Sequence, residues 1–347
     1  MPRRLTQWSV ALALVISVAA VSVPAVRAAT TQQVRQTRPI ALGTSGGNVN
    51  DFSRGGAFCS GGTLGALVTD GVKQYILSNN HVLARENKAT LGEDISQPGL
   101  IDANCRVAAG DVVADLSRFV TLQFKRGSSN TVDAAIAATR TGTVQTDGSI
   151  FGIGTVSDLT ATASVGCAVQ KVGRTTGQTA GAVSGTNATV NVRYSGGTGT
   201  FTNQILVTPG TFSAGGDSGS LIVRDGTNPR PVGLLFAGSS SYTIANPIDA
   251  VKAALGVSIV GSGDGSTGDC PGSTAGAAPA SGQAQQARSH AEDALLHLPD
   301  VAGVALGNNG TILVLLERDN AQTRRQIPAQ VDNVPVRVEV TGSFEAR

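Results

Sequence analysis

Aromatic residues make up only 4% of this 347-residue chain, charged residues only 14%, and there is one Met and one Trp. Charge of either sign is sparse, with 26 Lys+Arg against 24 Asp+Glu. A net charge of +2 leaves no basic footprint for nucleic acid and no acidic tail. No CxxC pair or Cys/His cluster points to zinc, so no metal or cofactor is expected. Past the N-terminus, no run approaches the ~20 apolar residues that a helix needs to cross a bilayer. Histidine is scarce too: there are three.

What is present is small and β-prone. Forty-one per cent of the residues are apolar, enough for real cores, and 44 are glycine. Val, Thr, Ser and Ala supply much of the rest. That mixture favours many short strands joined by tight turns over long helices. Arg3 and Arg4 precede an apolar run from Val10 to Val23, and Val26 and Ala28 suit a small-residue cleavage site. Residues 1–28 therefore read as a secretory signal peptide, placing the mature chain outside the cell or in a periplasm, with no stable membrane insertion after cleavage. Four cysteines in an exported chain, Cys59, Cys105, Cys167 and Cys270, suggest two disulfides. Three pairings are possible; Cys59 with Cys105 and Cys167 with Cys270 keeps each bridge within one half of the chain.

Between residues 38 and 260 the pattern is strand, turn, strand. In "TLGALVTDGVKQYILS" two apolar runs flank Asp70-Gly71, a strong hairpin signal. The expected architecture is all-β: two packed antiparallel six-stranded barrels, over about 38–145 and 146–260. Residues 261–288, rich in Gly, Ser, Ala, Pro and Gln, read as a flexible linker. Residues 289–347 read as a small α+β module that docks on the main domain, or binds substrate or a surface partner.

The chemistry centres on "GGDSGS", residues 215–220. Ser218 stands among glycines, and a serine hydroxyl needs a positioned base to become a nucleophile. His290 and His297 lie beyond the linker, so within the β region the base must be His81, in "LSNNHV". A carboxylate must then orient the imidazole. Asp133, in "VDAAIA", precedes a clean apolar strand; Asp94, Asp111, Asp115 and Glu93 are rivals. The order His, Asp, Ser is that of the chymotrypsin type, and the α/β-hydrolase G-x-S-x-G elbow fails at Ser220.

"LSNNHV", "VDAAIA" and "GGDSGS", in that order, resemble the chymotrypsin-fold serine peptidases, and "LSNNHVLA" resembles an exported bacterial trypsin-like group to which plant narrow-leaf proteins look related. The resemblance spans about residues 38–260. It implies an endopeptidase acting on polypeptides through an acyl-enzyme, with His81, Asp133 and Ser218 as the catalytic set and the N–H groups of Gly216 and Ser218 as the oxyanion hole. The usual "IVGG" start is missing, so Asp217 is expected to bond backbone or arginine rather than a freed amine. By position, Phe212, Leu235, Phe236 and Gly238 would form the primary pocket. None is acidic, which argues for apolar or small substrate side chains over Lys or Arg, and the same residues suit barrel core equally. A second reading is a weak or inactive protease-fold binding protein; a GDS esterase fits poorly, because its histidine should follow the serine.

Overall fold

The computed structural model describes residues 31–53, 58–263, 268–270 and 278–347. The leader expected over 1–28 lies outside them. Among the described residues, no helix is long and apolar enough to cross a membrane.

The first barrel is built from Thr44–Asn48, Gly62–Leu64 with Ala66–Thr69, Gln74–Ser78, Asp94–Ser96, Val112–Phe119 and Ala135–Thr139. Gly62–Leu64 and Ala66–Thr69 are two halves of one strand bent at Gly65. One half pairs with Thr44–Asn48 and the other with Gln74–Ser78, which closes the ring. The Asp70-Gly71 turn links the latter pair, and Asp70 Oδ1 accepts the Val72 and Lys73 N–H groups. The ring's interior holds Leu42, Leu67, Ile76, Ile95, Val113 and Ala137.

The second barrel uses Ala168–Gly173, Gly177–Tyr194, Gly197–Thr208, Leu221–Arg224, Pro231–Gly238 and Thr243–Pro247, again with every strand paired on both sides. Closure removes the exposed edges that an open sheet of these strands would otherwise present. A shared apolar layer runs between the barrels, with Val68, Leu77 and Ile136 from the first and Val172, Leu221 and Leu234 from the second. Ile248–Leu255 buries Ile248, Val251 and Leu255, one face of a helix, against that layer. Ser258–Ile259 then returns to pair with Ala66–Thr69. Disulfides join Cys59 to Cys105 and Cys167 to Cys270.

The remainder departs from the expected linker in one respect. A helix, Ala278–Leu296, begins within the stretch read as linker. Ala284 and Ala287 are buried on it against Val304, Ile312 and Leu316. Small Ala side chains suit a helix lying close on a sheet, and Ala and Gln favour helix. The module docks on the second barrel. Val301–Leu306 pairs antiparallel with Gly177–Tyr194, so the second barrel's sheet continues through Ile312–Leu316 into Val334–Val340. The docking is reinforced by Arg193–Glu317 at 2.6 Å, Asn187–Gln285 at 2.8 Å and a Thr189–Glu292 hydrogen bond. The last strand, Phe344–Ala346, leaves the module and enters the second barrel between Gly177–Tyr194 and Pro231–Gly238.

Candidate active site

His81 lies in the one-turn helix Asn80–Leu83, which follows strand Gln74–Ser78. The polar residues before it are wholly buried, and each has a bracing task. Ser78 Oγ donates to the Thr63 carbonyl at 2.7 Å. Asn79 Nδ2 donates to the Asp133 carbonyl at 2.7 Å, and Asn80 Nδ2 to Val120 O and Asn87 Oδ1, both at 2.7 Å. Each of these buried amide nitrogens thus finds an acceptor. Here they fix the turn, and the imidazole is left facing the cleft with 12% of its side chain exposed.

Asp133 lies in the loop just before Ala135–Thr139 and is fully buried. Its N–H donates to Asn246 Oδ1 at 3.0 Å. Its carboxylate takes three donors: His81 Nδ1–H to Oδ2 at 2.6 Å, the His81 backbone N–H to Oδ1 at 3.3 Å, and the Tyr194 hydroxyl to Oδ2 at 2.9 Å. Burial alone would depress the His81 pKa; the Asp133 charge and hydrogen bond outweigh it, and the net shift is above the ordinary 6.5. Burial first, then Asp133, pushes the Tyr194 phenol well up, so it stays a donor. The rival acids are occupied elsewhere. Asp111 pairs with Arg35, Asp94 and Asp115 share Arg140, and Glu93 holds Arg85. His290 and His297 lie on the exposed side of the C-terminal module, bonded to Asp332 and the Asp293 carbonyl.

Tyr194 was not legible as a site residue. It sits beside the tip of the long hairpin Gly177–Tyr194/Gly197–Thr208. Glu86 secures that tip, accepting from the Ser195 hydroxyl at 2.5 Å and from the N–H groups of Ser195 and Gly196 at 3.0 and 2.8 Å. Glu86 itself rides on three successive left-handed residues, Arg85, Glu86 and Asn87, with φ of 52°, 54° and 71°. Such backbone persists only where surroundings fix it.

Ser218 comes from the second barrel, in a turn bound to the first through Thr63 N–H to Ser218 O at 2.8 Å. Gly216 has φ of +96°, and a Cβ there would lie 2.5 Å from Arg174 Nη1 and Thr175 Oγ1, so glycine is required. The Ser218 N–H points into the cleft and donates to the Arg347 carbonyl at 2.9 Å. His81 Nε2 lies 3.5 Å from the same oxygen. The Ser218 hydroxyl donates to the Phe236 carbonyl at 3.1 Å rather than to the imidazole. Ser220 is buried and bonds Asp217 O at 2.6 Å.

Asp217 is fully buried behind the turn. It accepts from the N–H groups of Thr175, Thr176 and Ala214 and from the Thr176 hydroxyl. The cation beside it is a lysine, not an arginine: Lys171 Nζ stands 3.4 Å away, fully buried. Desolvation lowers the Lys171 pKa and the Asp217 charge opposes it. Lys171→Met leaves that acid unpaired, and removing one partner of a buried pair costs roughly 3–5 kcal/mol. A denaturant titration of wild type against Lys171→Met checks this, and an unchanged midpoint refutes it.

The pocket residues divide. Phe212 and Leu235 are buried in the second barrel's core beside Cys167 and Val207, as their alternative reading allowed. The Phe236 ring is core too, packed 4.7 Å from Phe201, while its carbonyl faces the cleft. Gly238 borders the Arg347 guanidinium. Thus an arginine side chain fills the place expected to suit apolar or small groups.

Two closed six-stranded barrels, with His81 and Asp133 on one side of a cleft of about 640 Å³ and the 215–220 turn on the other, define a chymotrypsin-like fold. Residues 129–246 match a family described as the Nal1 C-terminal domain, a stretch covering less than half of the chain. No curated protein matches. Among solved structures, a glutamic-acid-specific serine protease described as using a novel histidine triad in substrate binding is 23% identical, covering 63% of this chain and 100% of that one, with a TM-score of 0.44. Thermobifida fusca protease A is 20% identical over 64% of this chain and 98% of that one, TM-score 0.42. Cellulomonas bogoriensis chymotrypsin is 20% identical over 64% and 99%, TM-score 0.43.

Proposed function

We propose that the protein is an exported serine endopeptidase. The observation that carries this reading is the meeting of three groups around one carbonyl oxygen: Ser218 N–H at 2.9 Å, His81 Nε2 at 3.5 Å, and Asp133 behind the imidazole at 2.6 Å. Ser218 Oγ attacks the scissile carbonyl while His81 Nε2 takes its proton. Asp133 holds the proton on Nδ1 and stabilises the imidazolium. The N–H groups of Ser218 and Gly216 receive the developing oxyanion. His81 then protonates the leaving amine, and water reverses the sequence to release the acid. Two disulfides suit an oxidising compartment.

The Ser218 hydroxyl's bond to Phe236 O favours the second reading, a protease-fold binding protein. A change of χ1 rotamer redirects a serine hydroxyl. Prolonged incubation with a fluorophosphonate, followed by peptide mapping, separates the two: a phosphonylated Ser218 supports the peptidase, and a chain that never labels at Ser218 sinks it.

The base works only when neutral. With the His81 pKa raised, activity should rise with pH through an apparent pKa above 6.5, not below it. A kcat/KM profile with its midpoint under 6.5 would contradict this.

A further inference from the structure

Phe344–Ala346 lies in the cleft as a bound strand. It is antiparallel to Pro231–Gly238, with Ala346 opposite Ala237 and Glu345 opposite Gly238. Its other edge runs parallel to Gly177–Tyr194, with Phe344 opposite Val192. Arg347 N–H then donates to Phe236 O at 3.1 Å, and its carbonyl accepts from Ser218 N–H. This is strand addition that ends at the reactive serine, the placement a peptide's acyl side needs. Ser218 is fully buried beneath it.

The Arg347 side chain is read by backbone. Nη1 donates to Ser213 Oγ at 2.9 Å and to Ser213 O, and Nη2 donates to Ser239 O. A Cβ on Gly238 would stand 2.6 Å from Nε and 2.7 Å from Cζ, so the guanidinium slides along bare backbone. Among the described residues no carboxylate pairs with it. The acceptors on both arms suit a planar fork better than the point charge of lysine. Phe344, buried with Phe201, Phe236 and Leu315, anchors the segment.

We propose that residues 345–347 are a built-in substrate mimic: they close the groove, and they display the residue, arginine, that the groove selects immediately before the bond to be cut. This rests on the peptidase reading. A tethered strand acts at an effective concentration on the order of millimolar. Against a groove with ordinary peptide affinity, ~10–100 µM, that closes the site about 10- to 100-fold.

The test compares the full chain with two variants: one lacking residues 345–347 but keeping Phe344, and full-length Arg347→Glu, which retains the whole strand. Fluorophosphonate labelling of Ser218 should accelerate about 10- to 100-fold in both. Of fluorogenic peptides differing only in the residue before the bond, the opened enzyme should cut arginine faster than lysine, and both faster than leucine or alanine. Equal labelling in all three chains overturns the closure; leucine cut fastest overturns the selectivity. Fluorescein-labelled Phe-Glu-Ala-Arg, titrated into the shortened chain carrying Ser218→Ala, needs no catalysis. Saturable binding that is lost when its arginine becomes alanine supports the groove assignment even if Ser218 never labels, whereas no binding overturns it.

Discussion

Ser218→Ala is expected to lower peptide turnover by on the order of 10⁶, leaving only the residual rate that groove binding and the backbone donors supply. The effect should be this large because the neighbouring hydroxyls around the Ser218 turn are committed elsewhere. Ser220, two residues on, is buried and its hydroxyl is committed to Asp217 O. Thr175 Oγ1 donates to Gly215 O at 2.6 Å behind the turn. Removing one hydroxyl should leave the fold intact, since the turn is anchored through backbone: Thr63 N–H to the Ser218 carbonyl at 2.8 Å and Gly219 N–H to Leu235 O at 2.9 Å. The measurement is turnover of an arginine peptide by the chain lacking residues 345–347, with and without the change, at matched melting temperature. Activity within tenfold of the parent would move the nucleophile elsewhere.

Asp133→Asn is expected to cost roughly 10⁴ in kcat with substrate binding little altered. The surrounding bonds determine how. One carboxylate oxygen must accept the His81 backbone N–H, so the asparagine carbonyl is drawn to that side. Its amide then faces Nδ1 and donates, which places the ring proton on Nε2, where a base must be bare. The same amide presents hydrogens to the Tyr194 hydroxyl, which loses its acceptor. The pH profile should change as well, because the charge that holds the His81 pKa up is gone. Unchanged turnover would point to another acid. Asp133→Glu separates charge from geometry, as it keeps the first and disturbs the second.

Much of the architecture was legible because its signals are local. Asp70-Gly71 between two apolar runs reads as a tight turn, and short apolar runs separated by turn residues mark the strands. His81 was legible through scarcity, and Asp133 through the oddity of an acid before an apolar strand. What escaped was set by distant closure. Nothing around Tyr194 in "NVRYSGG" reveals that an 18-residue strand carries it across the barrel to Asp133. Lys171 reads as an ordinary strand residue until Asp217 is placed 3.4 Å from it. Ala284 and Ala287 sit in a composition that suits either linker or helix, and only the sheet beneath them decides. The surroundings of the Arg347 side chain were hidden for a related reason. Beside the Ser213 hydroxyl, its acceptors are the carbonyls of Ser213 and Ser239, and backbone acceptors leave no trace in residue type.

The cation that neutralises Asp217 belongs to the same strand system as the turn it steadies. Lys171 is laid down when Ala168–Gly173 pairs with its neighbours, so the acid is matched at the moment the barrel closes. No cut elsewhere in the polypeptide is needed to deliver a positive end to that spot. Asp217 thus takes its counter-charge from an internal side chain of the very barrel that carries it.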